Sequence, residues 1–168
     1  MRFLALCCMV LLLGPARGLA DQADPRLEGL FADLLAASDV ATASAIEGRI
    51  WDIWLEIDDP ASARLLRQGS DAMARRFFPI AIFSFNRLIE RSPGFAEGWN
   101  KRATLHYLMG NDEASVRDIQ QTLALEPRHF GALSGLGLIM LRNDRLVAAL
   151  RSFEAALAIH PHLPAAKA

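Results

Sequence analysis

The side chains able to do chemistry are few, and their spacing suits it poorly. The histidines are His106, His129, His160 and His162. An imidazole serves a metal or a proton relay when other ligands converge on it at recognisable spacing. Only His160 and His162 stand close together, and no acid adjoins them in sequence. His129 and His160 flank prolines. All four are read as loop and inter-helix histidines. Asp58-Asp59 and Asp112-Glu113 fall at turns, where carboxylates complement the N-terminus of a following helix. Ser134-Gly135-Leu136-Gly137 is glycine-rich but lies within a helical pattern. The sequence holds no phosphate-binding glycine loop, nucleophile elbow or His-Glu-x-x-His motif. The expectation is a non-enzyme without cofactor or metal.

Cysteine adds nothing, because Cys7 and Cys8 both sit in an N-terminal segment that reads as an address. Arg2 gives the positive start, Phe3 to Leu13 are continuously apolar, Gly14-Pro15 breaks the run, and Gly18 and Ala20 are small. As a helix the apolar run spans roughly 16 Å, against about 30 Å for a hydrocarbon core. A signal peptide over 1–20, cleaved after Ala20, is expected; cleavage after Ala16 is the alternative. What remains carries 16 basic and 19 acidic side chains, a balance of −3. That balance gives no reason to expect nucleic acid. With 52% hydrophobic residues in a chain of 168, one ordinary core is available and disorder is excluded. The chain is expected in the periplasm or secreted, with no stable membrane span once the signal is removed.

The elements that would position any site repeat. Pro93, Pro127 and Pro161 are each 34 residues apart. In the same step, Gly69, Ala103 and Gly137 are small, as are Ala81, Ser115 and Ala149. Phe85, Ile119 and Phe153 are bulky, as are Leu65, Trp99 and Leu133. Antiparallel helices need small residues where backbones approach and large ones where they interdigitate. Apolar spacing within each unit is helical, and Gly110-Asn111-Asp112 and Asn143-Asp144 supply turns. A proline at each unit's end stops the second helix. One such hairpin cannot bury its apolar face alone, so the units must stack.

This pattern resembles the tetratricopeptide repeat, best over Ala96 to Pro127 through Trp99, Ala103, Gly110, Ser115 and Pro127. The unit ending at Pro161 matches through Gly137 and Ala149, and the unit ending at Pro93 through Gly69 and Ala81, with Arg76 in place of the turn glycine. The resemblance implies an all-α, right-handed α-solenoid. Its expected divisions are a degenerate N-terminal capping hairpin over 21–60, repeats over 61–95, 96–129 and 130–163, and a short tail over 164–168. Trp51 and Trp54 are assigned to packing at the cap.

The resemblance also implies a concave groove lined by the first helix of each pair. On it would lie Leu66, Ser70 and Met73; Glu97, Asn100, Lys101, Thr104 and Tyr107; and Ser134, Leu138 and Leu141. Such a face suits a protein or peptide held by apolar side chains and a few polar contacts. The clamp by which some members grip an acidic carboxyl-terminal tail is missing, since Leu66, Ser70, Gly131 and Gly135 occupy four of its places. Arg64, Arg67, Arg75 and Arg76 form one basic patch, read as a solvated face paired with Asp71 and neighbouring acids. The last hairpin lacks a solvating helix, so Leu150, Phe153 and Leu157 are expected to stay open to a second copy or a partner helix. The leading expectation is a scaffold for an envelope protein. The alternatives are a membrane-tethered assembly subunit that keeps residues 1–20, and an enzyme with a dispersed site.

Overall fold

The computed structural model describes residues 24–164. The signal segment and the last four residues of the tail therefore lie outside the described residues. Among the described residues eight helices follow one another: α1 (Pro25–Ala36), α2 (Val40–Trp54), α3 (Pro60–Ala74), α4 (Phe78–Arg91), α5 (Ala96–Leu108), α6 (Asp112–Leu125), α7 (Phe130–Arg142) and α8 (Leu146–Ile159). There is no strand among the described residues, and no described helix is long and apolar enough to cross a membrane.

The 34-residue columns become contacts. Gly69 lies against the Phe85 ring so closely that a Cβ would stand 2.5 Å from it, and Gly137 meets Phe153 at the same 2.5 Å. The middle hairpin solves the same crossing with Ala103 and Ile119, a larger residue facing a smaller one. Ala81, Ser115 and Ala149 are buried in the second helices, and the Ser115 hydroxyl donates to the Ala103 carbonyl at 2.7 Å. Each hairpin turns through a left-handed residue: Arg76 at φ 60°, Gly110 at φ 77° and Asp144 at φ 55°. Only the middle one is the glycine that this conformation favours. Pro93, Pro127 and Pro161 each follow a helix end, and Trp99 Nε1 donates to the Pro93 carbonyl at 2.9 Å.

The three hairpins α3–α4, α5–α6 and α7–α8 stack in order, α4 along α5 and α6 along α7. Between α5 and α6, Arg102 donates two hydrogen bonds to Asp118, both at 2.8 Å, and a third to Asn86 of α4 at 2.8 Å.

The N-terminal hairpin covers one end of the stack, though not the end nearest to it in sequence. It does not cap the stack beside α3; α1 packs on α8, at the opposite end. One core joins Leu27, Leu30, Phe31 and Leu34 of α1 and Ile46, Ile50, Ile53 and Trp54 of α2 to Phe130, Ala156 and Leu163. The physical reason lies in what each end offers. The outer face of α3 carries Arg64 and Arg67, both exposed, and covering them with an apolar hairpin would strip their hydration. The C-terminal hairpin offers aromatic and aliphatic surface instead.

That placement also corrects the expected open C-terminal face. Leu157 packs against the N-terminal hairpin's core, and Phe153 is half-buried over Gly137. The open strip is Leu146, Val147 and Leu150, at 64%, 67% and 58% exposure.

Candidate functional site

Between α5 and α7 lies a groove of about 370 Å³. Its α5 wall is Asn100, Ala103, Thr104, Tyr107 and Leu108; its α7 wall is Ser134, Gly135, Leu138 and Ile139. Steps of three and four along each helix put these residues on one face, and Gly131 and Gly135 remove side chains that would narrow the space. Five residues expected from the sequence therefore meet here: Asn100, Thr104, Tyr107, Ser134 and Leu138. Leu108 and Leu138 are 47% and 37% exposed at the wall edges. Arg142 is stacked over the Tyr107 ring at 3.9 Å, and its guanidinium is paired with Asp112.

The opposite end is shut by residues outside the repeats. These are Glu47 and Trp51 of α2, which stand beside Phe130 and Leu163 of the last repeat. Trp51 stands against Gly131, where a Cβ would be 3.0 Å from the indole. The N-terminal hairpin therefore turns an open channel into a blind one. No residue of the lining is cationic, and the Ser134 hydroxyl is buried there without a hydrogen-bond partner.

Six expected groove residues lie elsewhere. Leu66 is buried in the core of the first hairpin and Met73 packs against that core. Ser70 is half-buried on α3, away from the groove lining, and Leu141 is exposed on α7 beyond it. Glu97 is fully buried: Asn100 Nδ2 donates to it at 2.9 Å, His129 Nε2 lies 3.0 Å from it, and the Lys101 ammonium stands at 3.1 Å. Burial alone would raise the Glu97 pKa; the His129 hydrogen bond, the Lys101 charge and the Asn100 amide outweigh burial and hold the carboxyl below its usual range. Lys101 is thus spent on an internal carboxylate. In this fold even its lone cation is unavailable to a tail-gripping clamp.

The histidines tie the N-terminal hairpin down. His129 Nδ1 accepts the Ala132 backbone N–H at 3.1 Å, capping α7, so its proton sits on Nε2, toward Glu97. Trp54 stacks flat on His129, centroids 4.2 Å apart and planes 10° apart. His160 Nε2 lies 3.1 Å from Glu47, and His162 Nε2 donates to the Ala37 carbonyl at 2.9 Å. Arg128 covers the Phe31 ring at 4.2 Å and donates to Glu28 at 3.1 Å. His106 is separate: burial pushes its pKa down, opposed by Asp118 at 3.8 Å, so it is neutral at neutral pH. The sequence held one sign of the Glu97–His129 pair, a carboxylate in the first turn of one repeat and an imidazole at the head of the next. Among the described residues no group of histidines and acids is arranged to hold a metal ion.

A stack of helical hairpins enclosing a groove with no cationic side chain in its described lining is a helical-repeat architecture, and comparison with known proteins says which. A tetratricopeptide repeat family model matches residues 101–164. A TPR repeat-containing protein of Rhizobium etli is 41% identical over 141 residues, covering 81% of this chain and 67% of that protein. The chain belongs to the tetratricopeptide repeat family. A bovine SGT1 homolog is 31% identical over 93 residues, 55% of this chain and 28% of its own length. The Sgt2 TPR domain of Aspergillus fumigatus superposes with a TM-score of 0.61 at 23% identity, over 65% of this chain and 74% of that domain. The TPR2B domain of yeast Sti1, solved as a complex with pHsp70, gives 0.56 at 17% identity, over 58% and 78%. These two establish the fold.

Proposed function

We propose that this chain is a non-enzymatic protein-binding module whose α5–α7 groove receives an uncharged apolar segment of a partner. The observation that carries the reading is the groove itself: about 370 Å³, bounded at one end by Glu47 and Trp51, mainly apolar along its walls, with one unpartnered hydroxyl at Ser134. A buried hydroxyl without a partner costs roughly 1–3 kcal/mol, which a ligand's carbonyl or amide would recover. The blind end favours a chain that enters from the Leu108–Leu138 side and stops. The likeness to the TPR2B domain of yeast Sti1, whose structure holds pHsp70, supports a peptide-binding use of the fold.

The setting we propose is the bacterial periplasm or the exterior, with an envelope protein as partner; it is supported by the signal-like pattern of residues 1–20. The alternative, a membrane-tethered assembly subunit, keeps that segment. The mass of the chain recovered from its native host separates the two readings. Any self-association would fall to the Leu146, Val147 and Leu150 strip, and Leu150→Glu is expected to move it toward monomer in sedimentation.

The groove is tested by proximity labelling in the native host with the wild type and Leu138→Glu, followed by direct binding of a peptide from each candidate. A partner peptide whose affinity drops on Leu138→Glu supports the reading. Partners whose peptides bind both forms alike do not use the groove.

A further inference from the structure

We propose that the free end of the stack, formed by α3 and α4, is a second docking surface that seats an acidic amphipathic helix of a partner protein. In the rest of the stack α4 lies along α5, and α6 along α7. Among the described residues no other hairpin lies along α3 in that way, because the N-terminal hairpin packs on the other end. The seat is a cleft of about 610 Å³, with Leu65 and Phe83 among its apolar walls and three arginines, Arg64, Arg87 and Arg91, against one acid, Glu90, in its lining.

The residues at the start of α4, which lead to Phe83 in this cleft, are unlike those of the other second helices. Phe77, Ile80 and Phe83 follow one another at three-residue steps and are 56%, 48% and 61% exposed. One repeat later the same positions hold Asn111, Ala114 and Arg117; two repeats later, Arg145, Ala148 and Arg151. Where the position faces water in the middle and last repeats, the sequence uses polar or small residues. In the first it places three large apolar ones. Single exposed apolar residues need no explanation, but a run beside a cleft does.

Charge selects the occupant. Arg64, Arg67, Arg75 and Arg76 make no ion pair among the described residues, which overturns the expected pairing with Asp71. Arg91 is held by Asp59, and Arg87 reaches Glu90 at 2.7 Å. Of the four free guanidinium groups Arg64 lines the cleft, beside Arg87 and Arg91, while Arg67, Arg75 and Arg76 stand exposed on or just after α3 and add to its positive charge. A neutral apolar hairpin is disfavoured here, whereas a helix with an apolar stripe flanked by Asp and Glu satisfies both the aromatic cleft and the arginines. The apolar side chains border a cleft shaped by two helices, which favours a helix over a flat anionic lipid surface.

The test uses the full chain and a fluorescein-labelled synthetic helix of about 18 residues, with leucine at i, i+3, i+4 and i+7 and glutamate on the flanks. A second peptide carries lysine in place of glutamate. Anisotropy is expected to show the acidic peptide binding at least about tenfold more tightly. Phe83→Asp should weaken it about tenfold or more, and Arg64→Glu with Arg87→Glu should reverse the preference. Leu138→Glu, in the separate groove, should change nothing. These are exposed positions, and circular dichroism checks that each variant keeps its helix content. Equal binding of the two peptides, indifference to Phe83→Asp, or capture by phosphatidylglycerol vesicles without capture by the acidic peptide would each overturn the proposal.

Discussion

Replacing Gly137 by alanine while changing Phe153 to isoleucine rewrites the last hairpin in the language of the middle one. The single change Gly137→Ala puts a Cβ 2.5 Å, 2.7 Å and 2.7 Å from three atoms of the Phe153 ring. Ordinary carbon contacts begin near 3.5 Å, so the ring must move by about 1 Å, and overpacking of this size costs about 1–3 kcal/mol. Removing a mid-helix glycine returns about 1 kcal/mol, so the net loss is about 1 kcal/mol. Phe153→Ile alone leaves a gap over Gly137 and, at a half-buried site, costs about 1 kcal/mol. Combined, the new methyl fills the gap left by the ring, as Ala103 and Ile119 do one repeat earlier. The double variant should match the wild type within about 0.5 kcal/mol, a coupling near 2 kcal/mol. Urea unfolding of the four proteins, followed by circular dichroism, measures it. Additive losses would refute the view that the small and large columns are one packing device.

Other outcomes follow from single contacts. Arg76→Gly should raise stability by about 1 kcal/mol, since Arg76 holds φ 60° where the equivalent Gly110 sits without strain; a lower urea midpoint would contradict this. Arg102→Met should cost about 3–5 kcal/mol, because it strands the buried Asp118 carboxylate, and Asp118→Asn in the same chain should recover part of the loss. Trp54→Ala should cost about 3–5 kcal/mol of hairpin docking; hydrogen exchange should then quicken in α1 and α2 and stay slow in α4 and α5. The Glu97 pKa is lowered on folding, so its stabilisation is complete above the unfolded carboxyl pKa and is lost as pH falls through the folded one. The urea midpoint should drop in acid, and Glu97→Gln should flatten the part of that drop beyond what Asp24, Asp39 and Asp59, also lowered, contribute.

What the sequence made legible was what the repeat period controls. Gly69 with Phe85 and Gly137 with Phe153 announce two close crossings, because backbone proximity can be met only by a missing side chain. The α5 and α7 faces of the groove follow from the same register, as Asn100, Thr104, Tyr107, Ser134 and Leu138 show. The misplacements share one cause: contacts that no period describes. Leu66 is drawn inward by the core of its own hairpin. Glu97 looks like a groove residue until His129, 32 positions on, is seen to turn its ring toward it. The blind end of the groove depends on Glu47 and Trp51, which belong to a hairpin outside the repeats.

The two ends of the stack explain that hairpin's choice and give it a role. Its core-facing side chains are apolar, from Leu27 and Phe31 to Ile50 and Trp54, so it gains most where the charged groups it covers find partners, as Arg128 does with Glu28 and Glu126. The α3 end offers Arg64 and Arg67; the α8 end offers Phe130, Ala156 and Leu163. Burying a guanidinium without a partner costs several kcal/mol, more than the sequence-adjacent site could return. Docked at the far end, the hairpin does what a terminal solvating helix does elsewhere in repeat proteins, and in the same act sets Trp51 across the groove. Capping and closure of the groove are therefore one event. A change that loosens Trp54 from His129 should open the blind end as well as expose Leu157, so ligand affinity and hairpin protection should fall together across a series of substitutions at Trp54.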